Sequence, residues 1–128
     1  MPAPPRRRSI LVVDDDAAIR DELAGELGND PALDISVADD GRAALHQIAT
    51  GIFWPDVILL DLMMPTLDGD GFLAALDAIN RTPAIRVIVM TALPEALVSE
   101  AVRRRAGTIL FKPFSLGQLG AAVRAALR

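Results

Sequence analysis

The chain contains no cysteine, so neither a disulfide nor a thiolate metal site can be built from it. A single histidine, His46, stands in the sequence, and it reads as a solvated helix residue rather than a ligand or phosphodonor. No apolar run approaches the roughly 20 residues that a membrane-spanning helix needs. Arg6-Arg7-Arg8 precede an apolar patch, but only about five apolar or small residues follow before the first aspartate. A secretory signal needs roughly 7–15, so a cytoplasmic protein with no membrane partner is expected. Lysine is almost absent: of 13 basic residues, all but Lys112 are arginine. A chain that uses arginine elsewhere and lysine at one place points to a position that wants a compact ammonium rather than a planar fork.

What is present is a soluble, foldable composition. With 128 residues, 52% hydrophobic and 23% charged, the chain can bury a single core and is not of the disordered class. The net charge is -4. Without the three tail arginines, the body carries ten basic against seventeen acidic residues. That balance argues against a general nucleic-acid binder.

Residues 1–8, rich in proline and arginine, read as a disordered or polyproline-like tail, and residues 9–128 as one domain. From residue 9 onward, strand and helix patterns alternate. Strands are expected at about 9–13, around Ile35 and Val37, and at 56–60, 85–90 and 109–111. Helices are expected at about 17–28, 41–50, 70–80, 94–105 and 115–127, with breaks at Asn29-Asp30-Pro31, Gly51 and Arg81-Thr82-Pro83. Leu116, Leu119, Val123 and Leu127 are expected on the buried side of the last helix. Five βα repeats in so short a chain imply an α/β fold, a parallel sheet covered by helices on both faces.

In such sheets the functional crevice lies at the carboxyl ends of the strands. The residues found there are Asp14, Asp15 and Asp16 after Ile10-Leu11-Val12-Val13, Asp61 after Val57-Ile58-Leu59-Leu60, Thr91, and Lys112 after Ile109-Leu110-Phe111. Carboxylates brought together repel, and one is forced to protonate unless a cation joins them. A hard cation bound through oxygen fits this set, and Mg²⁺ fits best, since it takes one or two carboxylates with water and phosphate oxygens. A carboxylate can also attack phosphorus to give an aspartyl phosphate. That transfer needs positive charge on the phosphoryl oxygens, which a metal and an ammonium supply. Asp16 reads better as a helix cap than as a ligand. Asp68-Gly69 reads first as a turn, Trp54-Pro55 as loop packing, and Arg103-Arg104-Arg105 as a solvated face open to partners.

Four stretches in this order, Ile10 to Asp16, Asp56 to Pro65 with Asp68-Gly69, Val87 to Ala92, and Phe111-Lys112-Pro113-Phe114, resemble the receiver domain of bacterial response regulators over about residues 9–127. The resemblance implies a flavodoxin-like, doubly wound (βα)5 domain with a five-stranded parallel sheet. It implies Asp61 as phosphoacceptor, Asp15 as a direct Mg²⁺ ligand, Asp14 as its acidic partner, and a backbone carbonyl of Met63 on the metal. Lys112 would pair with Asp61 and then with the phosphoryl group, Thr91 would move toward it, and the Lys112-Pro113 bond would be cis. The donor implied is a phosphohistidine on a histidine kinase or phosphotransfer protein. The output would be a downstream effector or self-association through the face of helix 4, strand 5 and helix 5, without direct nucleic-acid contact. Such a domain catalyses its own phosphorylation and slow dephosphorylation but turns over no metabolite, so it is not an enzyme in the usual sense.

The chain departs from the family pattern at Ile109, where an aromatic is usual, and in the short Ala106-Gly107-Thr108 connection. The coupling of a threonine to an aromatic rotamer cannot work here in its usual form. This leaves open a pseudo-receiver, an interaction or dimerisation module with an impaired switch. Met63 and Leu93, two residues after Asp61 and Thr91, cannot hydrogen-bond an attacking water, which implies slow loss of the phosphoryl group. A Mg²⁺-dependent phosphatase with an aspartyl-phosphate intermediate usually needs an acid where Met63 stands. A flavin-binding protein would need a phosphate loop after strand one, where three aspartates would repel it.

Overall fold

The computed structural model describes residues 7–64, 68–79 and 84–128. Of the features named above, the tail up to residue 6, Pro65 and the Arg81-Thr82-Pro83 break lie outside the described residues. In chain order the elements are β1 (Arg8–Val13), α1 (Ala17–Gly28), β2 (Leu33–Ala38), α2 (Gly41–Ala49) and β3 (Val57–Asp61). They continue with α3 (Gly69–Ile79), β4 (Arg86–Thr91), a 3-10 turn (Glu95–Leu97), α4 (Glu100–Arg105), β5 (Thr108–Phe111) and α5 (Leu116–Ala126). The strands form one sheet in the order β2-β1-β3-β4-β5, parallel at every pairing. This is the flavodoxin-like arrangement expected.

Apolar runs that do not alternate are the mark of strands covered on both faces. Ile10 to Val13 and Val57 to Leu60 are fully buried, and the core divides accordingly. On one face Leu11, Val13, Ile58, Leu60, Val87 and Val89 meet α2, α3 and α4 through Ile48, Leu76 and Val102. On the other, Ile10, Val12, Val57, Leu59, Ile88 and Met90 meet α1 and α5 through Leu23, Leu27, Leu119 and Val123.

The helix starts are written in the chain. Asp16 accepts hydrogen bonds from the Ala18 and Ile19 amides at the head of α1, Asp40 caps α2 through the Ala43 amide, and Ser115 with Gln118 makes a reciprocal capping box on α5. Asp16 is therefore the cap that its position suggested.

Three expectations need correction. Arg8 belongs to β1 rather than to the tail: its amide donates to the Ala32 carbonyl at 3.0 Å, and the Arg7 guanidinium reaches the Leu33 carbonyl at 2.8 Å. The single helix expected over 94–105 is broken into a 3-10 turn and a six-residue α4. The break lies at Val98 and Ser99, both extended, where Ser99 turns its hydroxyl oxygen to the Val102 amide as a new cap. Leu116 stands at the exposed first turn of α5, 38% accessible, while Leu119 and Val123 carry the burial.

The short α4 is tied to α3 at both ends. The Ser99 hydroxyl donates to Asp70 Oδ1 at 2.6 Å, and the Arg105 guanidinium pairs with Asp77 at 2.8 Å. Between these ties Val102 is buried. A side chain at Gly69 would place its Cβ 3.0 Å from Leu62 and 3.9 Å from Val102. The absent side chain is therefore what admits Leu62 there. Gly69 serves close packing rather than an unusual backbone, since among the described residues the positive φ occurs at Gly51.

Candidate acidic site at the strand ends

Each strand of the sheet's centre delivers a polar residue to the carboxyl edge. Asp61 is the last residue of β3 and Thr91 the last of β4, each one residue later than the strand ends expected from sequence. Asp14 follows β1 directly, its amide donating to the Ala38 carbonyl at 3.2 Å. Asp14, Asp61 and Thr91 are the buried polar residues of the domain, at 0%, 4% and 0% accessibility among the described residues. Burying a charge this far requires a partner.

The partners are only partly supplied by the protein. Asp61 Oδ1 accepts the Met63 amide at 2.8 Å, and its Oδ2 lies 3.5 Å from the Lys112 ammonium, a loose ion pair rather than a tight hydrogen bond. Asp14 Oδ1 accepts the Asp16 amide at 2.9 Å, but the buried Oδ2 has no hydrogen-bond partner among the described residues. Burial raises the Asp14 carboxyl above its ordinary pKa; the Asp16 amide opposes this, the negative charge of Asp61 adds to it, and the Lys112 charge opposes it. Asp15 is exposed. One carboxylate oxygen from each of Asp14, Asp15 and Asp61 lies within 4.8 Å of the others.

Thr91 and Lys112 are joined through the backbone, the Lys112 amide donating to the Thr91 carbonyl at 2.8 Å. Thr91 Oγ1 accepts the Leu93 amide at 3.0 Å. The Lys112-Pro113 bond is cis. Beside Lys112 a cleft of about 440 Å³ opens between α1 and α5, lined by Ile19, Glu22, Leu23, Pro113, Phe114 and Leu116.

The structure thus brings Asp14, Asp15, Asp61, Thr91 and Lys112 to one edge. Met63 contributes its amide there, and the residue is 48% accessible. Asp16 is occupied in capping, and His46 is an exposed residue of α2. Ile109 packs beside Val89, and Phe111 beside Thr91. Sequence reasoning misses Arg20, whose guanidinium Nη1 donates to the Asp14 carbonyl at 3.0 Å. The available signal was its place in the first turns of α1, where side chains lean back toward the preceding loop.

Comparison with known proteins gives a consistent result. Residues 10–124 match the family described as the response regulator receiver domain. The chain is 39% identical over 127 residues to protein-glutamate methylesterase/protein-glutamine glutaminase 4 of Anaeromyxobacter dehalogenans, covering 94% of this chain and 35% of that protein. It is 40% identical over 122 residues to the response regulator MprA of Mycolicibacterium vanbaalenii, covering 93% of this chain and 50% of that one. Thus it spans between a third and a half of these relatives' lengths. Among solved structures, response regulator TrrA from Thermotoga maritima, in complex with Mg²⁺-BeF, superposes with a TM-score of 0.77 at 25% identity, covering 93% of this chain and 98% of that one.

Proposed function

This chain belongs to the response regulator receiver domain family, and from that premise we propose that Asp61 accepts a phosphoryl group from a phosphohistidine on a partner kinase or phosphotransfer protein. The observation that carries the reading is the setting of Asp61: a carboxylate at 4% accessibility, ending a buried strand, with Lys112 at 3.5 Å and two further acids within 4.8 Å.

The donor set fits Mg²⁺. Oxygen ligands alone are offered, and the buried Asp14 Oδ2, unpartnered among the described residues, is a polar atom that a hard cation would satisfy. Asp14, Asp15 and Asp61 would hold it, together with the carbonyl of Met63. When bound, Mg²⁺ supplies charge neutralisation for the phosphoryl oxygens.

The rest of the chemistry falls to the chain's own residues. An Asp61 carboxylate oxygen attacks phosphorus as the P–N bond to the donor imidazole breaks, and the departing nitrogen takes a proton from solvent. The Met63 amide holds Asp61 Oδ1, which leaves the second oxygen for attack. Lys112, already beside that oxygen, remains as counter-charge to the phosphoryl group. Thr91 offers its hydroxyl proton to a phosphoryl oxygen while its own oxygen stays on the Leu93 amide. The largely apolar cleft beside Lys112, with Glu22 on its wall, is the surface on which a donor protein would dock. The face of α4, β5 and α5 would carry the output to an effector or a second copy. Among the described residues no helix is long and apolar enough to cross a membrane, and the reading places this exchange in the cytoplasm.

Intact mass after incubation with acetyl phosphate and Mg²⁺ tests the proposal. One added phosphoryl group is expected, absent in Asp61→Asn and absent when Mg²⁺ is chelated. No adduct on protein that demonstrably binds Mg²⁺ would favour the second reading, a pseudo-receiver that associates constitutively. That reading has its own support, because Ile109 packs in the core beside Val89 where a switching aromatic is usual.

A further inference from the structure

We propose that Arg20 is a positioning residue for the acidic site, holding the peptide that carries Asp15; the inference rests on the reading of this cluster as a Mg²⁺ site. Asp14 and Asp61 are fixed by the sheet. Each is buried at a strand end, and each has a carboxylate oxygen on a backbone amide. Among the described residues Asp15 has neither advantage. It is exposed, and it lies between the last residue before it in the ladder, Val13, and the helix cap Asp16.

The register shows where control by the sheet stops. β1 pairs with β2 as far as Val13 with Ala38 and with β3 as far as Val13 with Leu60. The Asp14 carbonyl falls beyond that ladder, and the Arg20 guanidinium takes it at 3.0 Å. That carbonyl and the Asp15 amide belong to one planar peptide unit. Fixing the oxygen therefore fixes the plane from which Asp15 projects. The reach is local and natural: Arg20 sits one turn into α1, half-buried, and its own amide donates to the Asp16 carbonyl at 2.9 Å. Carbonyl, cap and first helical turn are thereby joined in one loop.

The positioning role and a charge role predict opposite signs. A guanidinium is permanently positive, so if Arg20 acted only through its charge, removing it would tighten Mg²⁺ binding, most at low salt. If it acts by holding the Asp15 peptide, removing it weakens Mg²⁺ at low and high salt alike. Outer residues that orient metal ligands are typically worth about 10–100-fold in affinity, and the lower end is expected here because one of three carboxylates is affected.

The experiment is calorimetric titration of Mg²⁺ into wild type, Arg20→Ala and Arg20→Lys at two salt concentrations, with urea unfolding of each. Arg20→Ala is expected to weaken Mg²⁺ about tenfold, independently of salt, with Arg20→Lys between it and wild type. In phosphorylation by acetyl phosphate, the half-saturating Mg²⁺ should rise by the same factor while the rate at saturating Mg²⁺ stays near wild type. Unchanged or tighter Mg²⁺ binding in a folded variant overturns the inference. Should Arg20→Ala not fold, Arg20→Lys decides alone, since it keeps the charge and loses the planar fork: weaker binding supports the inference and equal binding overturns it. Wild-type protein that binds no Mg²⁺ overturns the reading of the cluster itself, and this inference with it.

Discussion

Thr91 and Phe111 are register partners across β4 and β5, so the half-buried ring of Phe111 stands beside the buried hydroxyl residue that ends β4. The neighbouring pair one step down the same sheet face is Val89 with Ile109. The aromatic of this domain is thus displaced by two residues toward the site rather than missing from the strand.

Thr91 is fully buried, and its hydroxyl oxygen holds the Leu93 amide. Thr91→Val keeps the shape and abandons that amide, so it is expected to destabilise the domain by about 1–3 kcal/mol. The urea midpoint measures this. Phosphorylation should persist in the variant, because the acceptor is untouched, while any phosphorylation-dependent change in self-association should be lost.

Asp14 gives a pH-dependent prediction in metal-free solution. Its carboxyl holds a proton more tightly in the folded chain than its ordinary value of 3.8. Folding therefore gains from this group below that value and loses the gain as pH rises through the folded-state value. Asp14→Asn keeps the acceptor for the Asp16 amide and has no charge to bury. Its stability relative to wild type should increase as pH climbs from the acid range to neutrality. A difference that is flat with pH would contradict the assignment.

Mg²⁺ binding should appear as stability. At a concentration 100 times its Kd, a ligand of the folded state contributes about 2.7 kcal/mol. Wild type should gain this in thermal or urea unfolding. Asp15→Asn, an exposed position, should alter the metal-free protein by less than about 0.5 kcal/mol and lose most of the Mg²⁺ gain.

Met63 stands 48% accessible beside Asp61, and the thioether offers an attacking water no strong hydrogen bond. Met63→Asn is expected to shorten the lifetime of the phosphorylated protein several-fold, as followed by intact mass after the donor is removed. An equal or longer lifetime would refute the idea that this side chain slows hydrolysis.

Ser99 serves two partners, as cap to the Val102 amide and as donor to Asp70. Ser99→Ala should cost about 1–2 kcal/mol. A double-mutant cycle with Asp70→Ala would separate the two contributions, since Asp70→Ala leaves the cap intact.

Much of this was legible in the sequence because the physics is local. The runs Ile10 to Val13 and Val57 to Leu60 could be little other than strands buried on both faces, and Asp16 announces the helix it caps. The strand-end rule then placed Asp14, Asp61, Thr91 and Lys112 together without coordinates. What stayed hidden depends on contacts distant in sequence. The split near Val98 depends on Ser99 finding Asp70, 29 residues away. Leu116 lies on the helical stripe of Leu119 and Val123 but stands where α5 has just begun, at the wall of an open cleft, and stays 38% accessible. Arg20 had only its place in the first turns of α1 to mark it, because hydrophobic periodicity says nothing about which carbonyl a guanidinium will find.

The helix α4 has six residues, far fewer than the roughly 12–15 an isolated helix needs to be even marginal in water. It is borrowed structure: Asp70 and Asp77 of α3, with Val102 in the seam, lend it the order it lacks. Any partner that reads its arginine-rich surface therefore reads α3 as well. Amide exchange should find the two helices opening together, the weaker never outlasting its lender.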